Sequence, residues 1–191
     1  QYHAQDIVDL VLALSGFFRI SLSQGKEFIT LEQEVLMVKN YLDIQKVRYE
    51  DLFEYKTEIE EGLGNYMVLK ICLQPLVENA IYHGMEFMDG DGEIRIHVYR
   101  DGDDLYMKVS DNGLGMTKEQ IENMFSEKKH VASKSGSGIG VRNVNERIRL
   151  YFGSDYGLSI ESELDEGTTV TIHMKAIPYS ETAEGEKINV K

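Results

Sequence analysis

Three short stretches of the sequence carry polar side chains and glycines where the packing of a hydrophobic core gives no reason for them. The first is residues 78–84 (ENAIYHG), in a segment with a helical pattern. Asn79 and His83 are four residues apart and therefore share one face of such a helix. An amide oxygen and an imidazole on one face can hold a ligand together, although a helical Asn and His more often belong to a solvated face.

The second stretch is residues 111–116 (DNGLGM), at the end of a segment with a strand pattern. An aspartate that leaves a sheet here can accept two hydrogen bonds, and Gly113 and Gly115 permit a close approach that a Cβ atom would block. These properties suit a flat heteroaromatic amine such as adenine as the ligand of Asp111. The same residues also fit an ordinary Asp-Asn-Gly turn without a ligand.

The third stretch is residues 136–140 (GSGIG), directly before another helical pattern. Gly136, Gly138 and Gly140 leave backbone N–H groups bare at the positive end of the helix dipole, which favours an anion such as phosphate. The spacing is not the dinucleotide fingerprint, because no βαβ unit of about 30 residues surrounds it, and it lacks the Lys-Ser/Thr of a Walker loop. A flexible glycine lid without a ligand would have the same composition.

A helical hairpin is predicted ahead of these stretches. The apolar period indicates a first helix over residues 7–22 and a second from Thr30 to about Glu50, which begins with the capping-box pair Thr30 and Gln33. Residues 23–26 join the two helices. Their apolar stripes are buried either against each other, as a packed subdomain, or against a second copy of the chain.

From residue 51 the apolar period changes to two, which indicates a half-buried strand and a domain boundary. A helix is then expected to begin at Pro75, since proline is tolerated in a first turn but not in a helix interior. Strands and further helices are expected at 53–59, 93–100, 104–110, 117–125, 141–152, 158–163 and 168–175. The predicted organisation is a helical hairpin over 1–50, a domain of helices and strands over 51–177, and a polar, disordered tail over 178–191.

Composition excludes several classes of function. The 20 Lys and Arg residues against 33 Asp and Glu give a formal net charge of −13. A generic nucleic-acid binder is excluded, because this charge repels a polyanion. The single cysteine, Cys72, has an apolar setting typical of core packing, and it fits a reducing compartment. No stretch reaches the ~18 apolar residues of a membrane span, so no membrane contact is expected of this chain.

The order of the three stretches resembles a known family. Asp111 lies 32 residues after Asn79, and Gly136 lies 25 residues after Asp111. In this order the stretches resemble the N box and the two glycine boxes of the Bergerat ATP-binding fold, which gyrase, a heat-shock chaperone family, histidine kinases and mismatch-repair ATPases share. Residues 167–169 (GTT) resemble the Gly-Thr element that closes the adenine pocket in that fold, and the resemblance covers residues 52–176.

This resemblance implies an α+β fold. The architecture would be an α/β sandwich of the Bergerat (GHKL) type, with a mixed sheet and helices on one face, preceded by the two-helix hairpin.

The sequence is more similar to one branch, the LytS-like sensor histidine kinases. Residues 73–80 (LQPLVENA) and 138–147 (GIGVRNVNER) carry this similarity in the nucleotide-binding part. Residues 30–34 (TLEQE) and 40–48 (NYLDIQKVR) are similar to the second dimerisation helix of the branch.

Membership of this branch would make the chain the ATP-binding catalytic part of a two-component signal transduction kinase. It would be a cytoplasmic region of a membrane-anchored homodimer, and it would pass the phosphoryl group on to a response regulator.

The resemblance also implies ATP and Mg²⁺ as ligands, with a role for each site residue. Asn79 would bind Mg²⁺ through its side-chain oxygen, and His83 would lie near the ribose or the phosphates. Asp111 would accept a hydrogen bond from the adenine amino group, and Gly113 and Gly115 would shape the pocket around it.

The remaining implied contacts come from the glycine lid and the last strand. Gly136, Gly138 and Gly140 would form the lid, and Asn143 would meet a phosphate from the start of the following helix. Thr169 would support the floor of the pocket.

The N box departs from the family pattern at two positions. Gyrase-like ATPases of this fold place a glutamate, the general base that activates water, four residues before the magnesium-binding asparagine, where this chain has Pro75. Proline cannot accept a proton, so phosphotransfer is favoured over fast hydrolysis, with Glu78 as the candidate catalytic group. Tyr82 stands where many family members carry a lysine, so the phosphate contact of that lysine would be missing here.

The phosphoacceptor of the branch is a histidine followed by Phe-Leu and an asparagine, and His3 is followed instead by Ala-Gln-Asp. The acceptor is therefore expected upstream of Gln1, in a longer protein. Two alternatives remain open from the sequence. One is an ATPase of the same fold, and the other is a non-catalytic dimeric interaction module in which the helical hairpin carries the function.

Overall fold

The computed structural model describes residues 4–21, 26–49, 52–85, 88, 90–125 and 139–180. Its helices are α1 (Ala4–Ser21), α2 (Leu31–Arg48), α3 (Gln74–Asn79), α4 (Lys118–Phe125) and α5 (Ile139–Phe152), with a short 3₁₀ turn at Leu63–Asn65. A π-helical stretch, Ala80–Met85, continues α3 and is called the π segment below. The strands are β1 (Phe28–Thr30), β2 (Phe53–Ile59), β3 (Met67–Leu69), β4 (Gly92–Asp101), β5 (Asp104–Asp111), β6 (Gly157–Glu163) and β7 (Gly167–Lys175).

The main sheet has five strands in the order β2-β4-β5-β7-β6. β2 runs parallel to β4 and the other neighbours are antiparallel, so the sheet is mixed, as predicted. Alternate residues of β4, β5 and β7 are buried, which shows that one face of the sheet is covered. This is the predicted α+β architecture, with helices on one face and a helical hairpin before it.

α1 and α2 pack against each other in that hairpin, with the rings of Phe17 and Tyr41 in contact at a centroid distance of 6.3 Å. The pairing does not cover all of the apolar surface of α1. Its exposed apolar side chains are Val8, Val11, Leu12, Leu14 and Phe18, between 43% and 64% exposed. α1 therefore carries apolar side chains that the packing of the hairpin leaves exposed.

One hydrophobic core joins the hairpin to the sheet. Leu31, Val38 and Leu42 of α2 are completely buried, in the same cluster as residues of α3 and of the main sheet. The hydrophobic core therefore continues across residue 50, where the chain changes from helical to mixed structure. Among the described residues, none of the helices combines the length and apolarity needed to cross a membrane.

A small sheet and a π-helical stretch are among the features that the sequence did not predict. β1 and β3, three residues each, form a small antiparallel sheet in which Phe28 pairs with Leu69 and Thr30 with Met67. This sheet fixes the start of α2 beside the segment that leads into α3. The second element is the π segment, where the predicted continuous α-helix widens after Asn79.

The predicted start of α2 is confirmed by its capping box. The Thr30 hydroxyl accepts a hydrogen bond from the Gln33 N–H, and the Gln33 side chain accepts one from the Thr30 N–H, both at 3.2 Å. Thr117 and Gln120 form the corresponding pair ahead of α4.

We expect Thr30→Ala to lower the free energy of unfolding by about 1 kcal/mol, because α2 loses one of its caps. Urea unfolding followed by circular dichroism measures this loss. Thr117→Ala is the matched control, with a smaller expected effect, since α4 has no buried residue and contributes little to the core. Equal unfolding midpoints for Thr30→Ala and the unchanged protein would contradict the prediction.

Candidate functional site

Asp111, the last residue of β5, is the centre of the site. Its Oδ1 accepts a hydrogen bond from the Gly113 N–H at 3.0 Å, and the N–H of Thr168 on β7 also donates to the carboxyl group. Burial raises the pKa of Asp111 from 3.8 to about 6, against the lowering effect of these two N–H groups. A carboxylate accepts about four hydrogen bonds, so Asp111 retains capacity for a donor on a ligand.

Gly84 and Gly113 bring the π segment into direct contact with the turn after Asp111. A Cβ atom on Gly113 would lie 2.2 Å from the Cα of Gly84, and a Cβ on Gly84 would lie 2.8 Å from Oδ1 of Asp111. No side chain fits between the two backbones, which explains why both positions are glycine.

The turn between β6 and β7 contacts the loop after Asp111 from the side opposite to the π segment. A Cβ on Gly115 would lie 1.9 Å from the carbonyl oxygen of Glu163, and a Cβ on Gly167 would lie 2.0 Å from that of Asp111. The Met116 N–H donates to the Ser162 hydroxyl at 2.7 Å. The loop that begins at Asp111 is therefore held between the π segment and the β6–β7 turn.

Thr168 and Thr169, at the start of β7, lie on different faces of the sheet. Asp111 pairs with Thr168 in the β5–β7 register, so the side chain of Thr169 lies on the opposite face of the sheet. There the Thr169 hydroxyl donates to the Ser110 hydroxyl at 2.9 Å. Thr168 is the residue beside Asp111, and its hydroxyl shares a hydrogen bond of 2.9 Å with Ser162.

The two polar residues of the N box lie on different types of helix. Asn79 ends α3, and His83 lies in the π segment, where the turn is wider than in an α-helix. The predicted shared face of Asn79 and His83 therefore does not have regular α-helical geometry. Asn79 is half-buried, and its side chain forms no hydrogen bond within the part of the chain that the structure describes. His83 is exposed.

Glu78 lies on the side of α3 that faces the helical hairpin. Its Oε1 accepts a hydrogen bond from Nε2 of Gln74 at 2.8 Å. Burial raises the pKa of Tyr41 on α2, and the nearby side chains of Glu78 and Tyr82 raise it further. Glu78 and Tyr82 are therefore neighbours of α2.

The turn that leads into α3 is held by Glu34, a fully buried residue of α2. The Ile71 N–H donates to Oε2 of Glu34 at 2.9 Å, and the N–H groups of Cys72 and Leu73 donate to Oε1 at 2.7 and 2.9 Å. Burial raises the pKa of Glu34, while the three N–H groups oppose that rise. Ile71 has a φ of +60°, which costs a β-branched residue about 1–3 kcal/mol.

The buried Cys72 belongs to the core, as its apolar setting predicted.

α5 contacts the same turn from another side. Arg147 donates to the carbonyl oxygen of Lys70 at 3.0 Å and pairs with Glu27 at 3.3 Å. In the first turn of α5, a Cβ on Gly140 would lie 3.0 Å from the Cβ of Pro75, so the starts of α3 and α5 meet. Asn143, the predicted phosphate contact from α5, is exposed, and Gly136 and Gly138 of the predicted lid lie outside the described residues.

Comparison with known proteins identifies the family. Residues 64–178 match the model for histidine kinase-, DNA gyrase B- and HSP90-like ATPases, and residues 1–53 match the model for histidine kinases. The first match spans more than half of the chain. The chain therefore belongs to the family of histidine kinase-, DNA gyrase B- and HSP90-like ATPases, and ATP is the ligand that this family implies.

Curated relatives confirm the similarity to LytS-like sensor kinases. The chain is 38% identical over 163 residues to the sensor protein LytS of Bacillus cereus, which covers 85% of this chain and 27% of that protein. It is 33% identical over 168 residues to the sensor histidine kinase YesM of Bacillus subtilis, which covers 88% of this chain and 27% of that protein. The chain thus spans about a quarter of the length of these relatives.

Solved structures confirm the predicted fold. The catalytic domain of histidine kinase ThkA superposes with a TM-score of 0.61 at 17% identity, over 81% of this chain and 98% of that domain. The mycobacterial sensor histidine kinase MprB superposes with a TM-score of 0.56 at 17% identity, over 81% of this chain and 99% of that one.

Proposed function

We propose that the chain is the ATP-binding catalytic part of a two-component sensor histidine kinase, which transfers the γ-phosphoryl group of ATP to a histidine. The observation that carries this proposal is the environment of Asp111. Its carboxyl group, at the end of β5, retains the capacity to accept a further hydrogen bond, and the close backbone contacts of Gly84, Gly113 and Gly167 fix its position. A carboxylate held in this way suits the adenine amino group as its donor.

Mg²⁺ fits the residues at the other end of the site. Mg²⁺ prefers oxygen ligands, keeps several waters and is held by few protein groups together with substrate phosphates. Asn79 offers one amide oxygen of this kind. The described residues include no cluster of three His, Cys, Asp or Glu side chains that could hold a metal by itself. Bound there, the ion would neutralise charge on the phosphates.

The remaining assignments complete the phosphate end of the site. We assign His83 to the ribose or phosphates, Gly136, Gly138 and Gly140 to a lid, and Asn143 to a phosphate contact from α5. Gly115 shapes the loop after Asp111, whereas Thr168 replaces Thr169 as the contact from β7.

Phosphotransfer is favoured over hydrolysis by the residues of α3. Pro75 occupies the position of the ATPase general base and packs against Gly140. Glu78 faces the hairpin, the side from which a histidine on the dimerisation helices would approach the nucleotide, and we assign it to orienting that histidine. The expected acceptor lies upstream of Gln1.

The partners follow from the same assignment. A second copy of the chain would cover the exposed apolar side chains of α1, and a response regulator would receive the phosphoryl group. The net charge of −13 argues against nucleic acid. In the full-length protein this part would be cytoplasmic and would be connected to a membrane anchor.

Phosphorylation of a longer version of the protein, extended upstream of Gln1, tests the proposed function. Label from the γ-phosphate of ATP should appear on the protein in an acid-labile, base-stable form. Steady-state ATP turnover by the chain without such label would support the ATPase alternative. No binding of ATP at millimolar concentration would support the interaction module.

Replacing Asn79 with alanine tests the assigned Mg²⁺ ligand. We expect ATP affinity in excess Mg²⁺ to fall about tenfold, because one oxygen ligand is lost while waters and phosphates remain. Titration calorimetry measures this, and the affinity in EDTA should be the same for Asn79→Ala and the unchanged protein. Equal losses in Mg²⁺ and in EDTA would show that Asn79 does not act through the ion.

A further inference from the structure

We propose that Glu34 is a positioning residue for the Mg²⁺ and phosphate end of the nucleotide site. Its carboxyl group, which comes from the helical hairpin, fixes the start of the helix that carries Asn79. The inference rests on the proposed function and adds the residue through which the hairpin acts on the nucleotide.

The contacts of Glu34 reach far along the chain. The three N–H groups that it accepts from belong to Ile71, Cys72 and Leu73, between 37 and 39 residues away. Leu73 is the N-cap of α3 and has no capping side chain of its own. Buried N–H groups require partners, and the partner of all three is a side chain of α2.

The conformation of Ile71 makes this contact sensitive to position. A β-branched residue with φ near +60° persists only where its surroundings hold it there. The Ile71 N–H is held by Oε2 of Glu34 at 2.9 Å. A displacement of α2 that withdraws this oxygen removes a restraint on the turn, and the start of α3 can then shift.

A second contact of α2 lies on the far side of Asn79. Tyr41 follows Glu34 by seven residues, two turns along the same face of the helix. The side chain of Tyr82 in the π segment interacts electrostatically with Tyr41 and contributes to its raised pKa. α2 therefore contacts the chain both before Asn79, at the turn, and after it, in the π segment.

The adenine end of the site has different supports. Asp111 is held by the N–H groups of Gly113 and Thr168, which belong to its own turn and to β7. A change at Glu34 should therefore affect the Mg²⁺ and phosphate contacts more than the adenine contact.

The test compares Glu34→Gln with Glu32→Gln, an exposed position on the same helix. In Glu34→Gln an amide group replaces one oxygen, so a donor faces at least one backbone N–H. We expect the affinity for ATP in excess Mg²⁺ to fall about tenfold and the affinity in EDTA to change less than about twofold. Glu32→Gln should change neither, and titration calorimetry gives all four values.

A double-mutant cycle separates positioning from a general loss of stability. In the Asn79→Ala background, Glu34→Gln should produce no further loss of affinity in Mg²⁺. Equal losses in Mg²⁺ and EDTA, or full additivity with Asn79→Ala, would overturn the proposal.

Tyr41→Phe tests the proposal if Glu34→Gln does not fold, because it removes one hydroxyl and keeps the ring. We expect Tyr41→Phe to lower the affinity for ATP in excess Mg²⁺, by less than Glu34→Gln, and to leave the affinity in EDTA nearly unchanged. An unchanged affinity in Mg²⁺ would overturn the proposal. Failure of the unchanged protein to bind ATP would instead overturn the proposed function, and the positioning role with it.

Discussion

Asp111→Asn is expected to weaken ATP binding by about 100-fold. The amide keeps the shape of the side chain and one acceptor oxygen for the backbone N–H groups, but it turns an NH₂ group toward the adenine amino group. Loss of a hydrogen bond to a charged group, with a donor left unpaired, costs about 3 kcal/mol, which corresponds to this factor. Titration with ATP and excess Mg²⁺ measures it.

Asp104→Asn, a half-buried position at the other end of β5, is the matched control and should leave the affinity within about twofold of the unchanged protein. An unchanged affinity in Asp111→Asn would refute the adenine assignment.

The pH dependence of binding follows from the same residue. Protonation of Asp111 turns one of its oxygens into a donor, so the ionised carboxylate is the better acceptor for the adenine amino group that we assign to it. Burial raises the pKa of Asp111 to about 6 in the free protein. The affinity for ATP should therefore increase, by up to about tenfold per pH unit, as the pH rises toward 6, and level off above it. ATP also titrates in this range, so the ratio of affinities of the unchanged protein and Asp111→Asn isolates the contribution of Asp111. A ratio independent of pH between 5 and 7 would contradict this expectation.

Unfolding measurements show whether Asp111→Asn loses affinity because it unfolds. A carboxyl group whose pKa is higher in the folded state than in the unfolded state destabilises the protein as the pH rises from about 4 to 6. Asparagine removes that cost, so the free energy of unfolding at pH 7 should be equal or higher in Asp111→Asn. A large loss of stability in this variant would mean that Asp111 supports the fold as well as the ligand.

Gly113→Ala should destabilise the protein by about 3 kcal/mol and abolish ATP binding, since overpacking against a backbone atom cannot be relieved by a side-chain rotation. The added Cβ would lie 2.2 Å from the Cα of Gly84. Urea unfolding and calorimetry measure the two effects.

The matched control for this substitution is Gly64→Ala. Its Cβ would meet nothing closer than 3.6 Å, the distance to the Cβ of Glu32, and its stability should change by less than about 0.5 kcal/mol. Equal stabilities of the two variants would show that the loop can move away from the π segment.

Local signals made much of the fold predictable. The caps Thr30 and Thr117 and the position of Pro75 determine where helices begin, and these signals act within three or four residues. Pro75 follows the first residue of α3, one position from the predicted start. The strands of the main sheet follow from period-two patterns, which depend only on which face is buried.

The unpredicted features depend on partners far along the chain. β1 and β3 are too short for a pattern, and each exists because the other lies beside it. In the sequence alone, Glu34 has the pattern of a solvated helical glutamate. Nothing nearby indicates its burial, because its three hydrogen-bond partners lie almost 40 residues away along the chain. The sequence does not show which of Thr168 and Thr169 pairs with Asp111, because the register of β5 and β7 cannot be read from either strand alone, and a shift of one residue exchanges the two faces of the sheet.

The contact between Gly84 and Gly113 joins backbone to backbone, with no rotamer that could swing aside. This contact fixes the position of the turn that begins at Asp111, and no side-chain rotation can widen it. If Asp111 binds adenine as we propose, a base that carries an additional substituent on the edge facing Asp111 should be rejected.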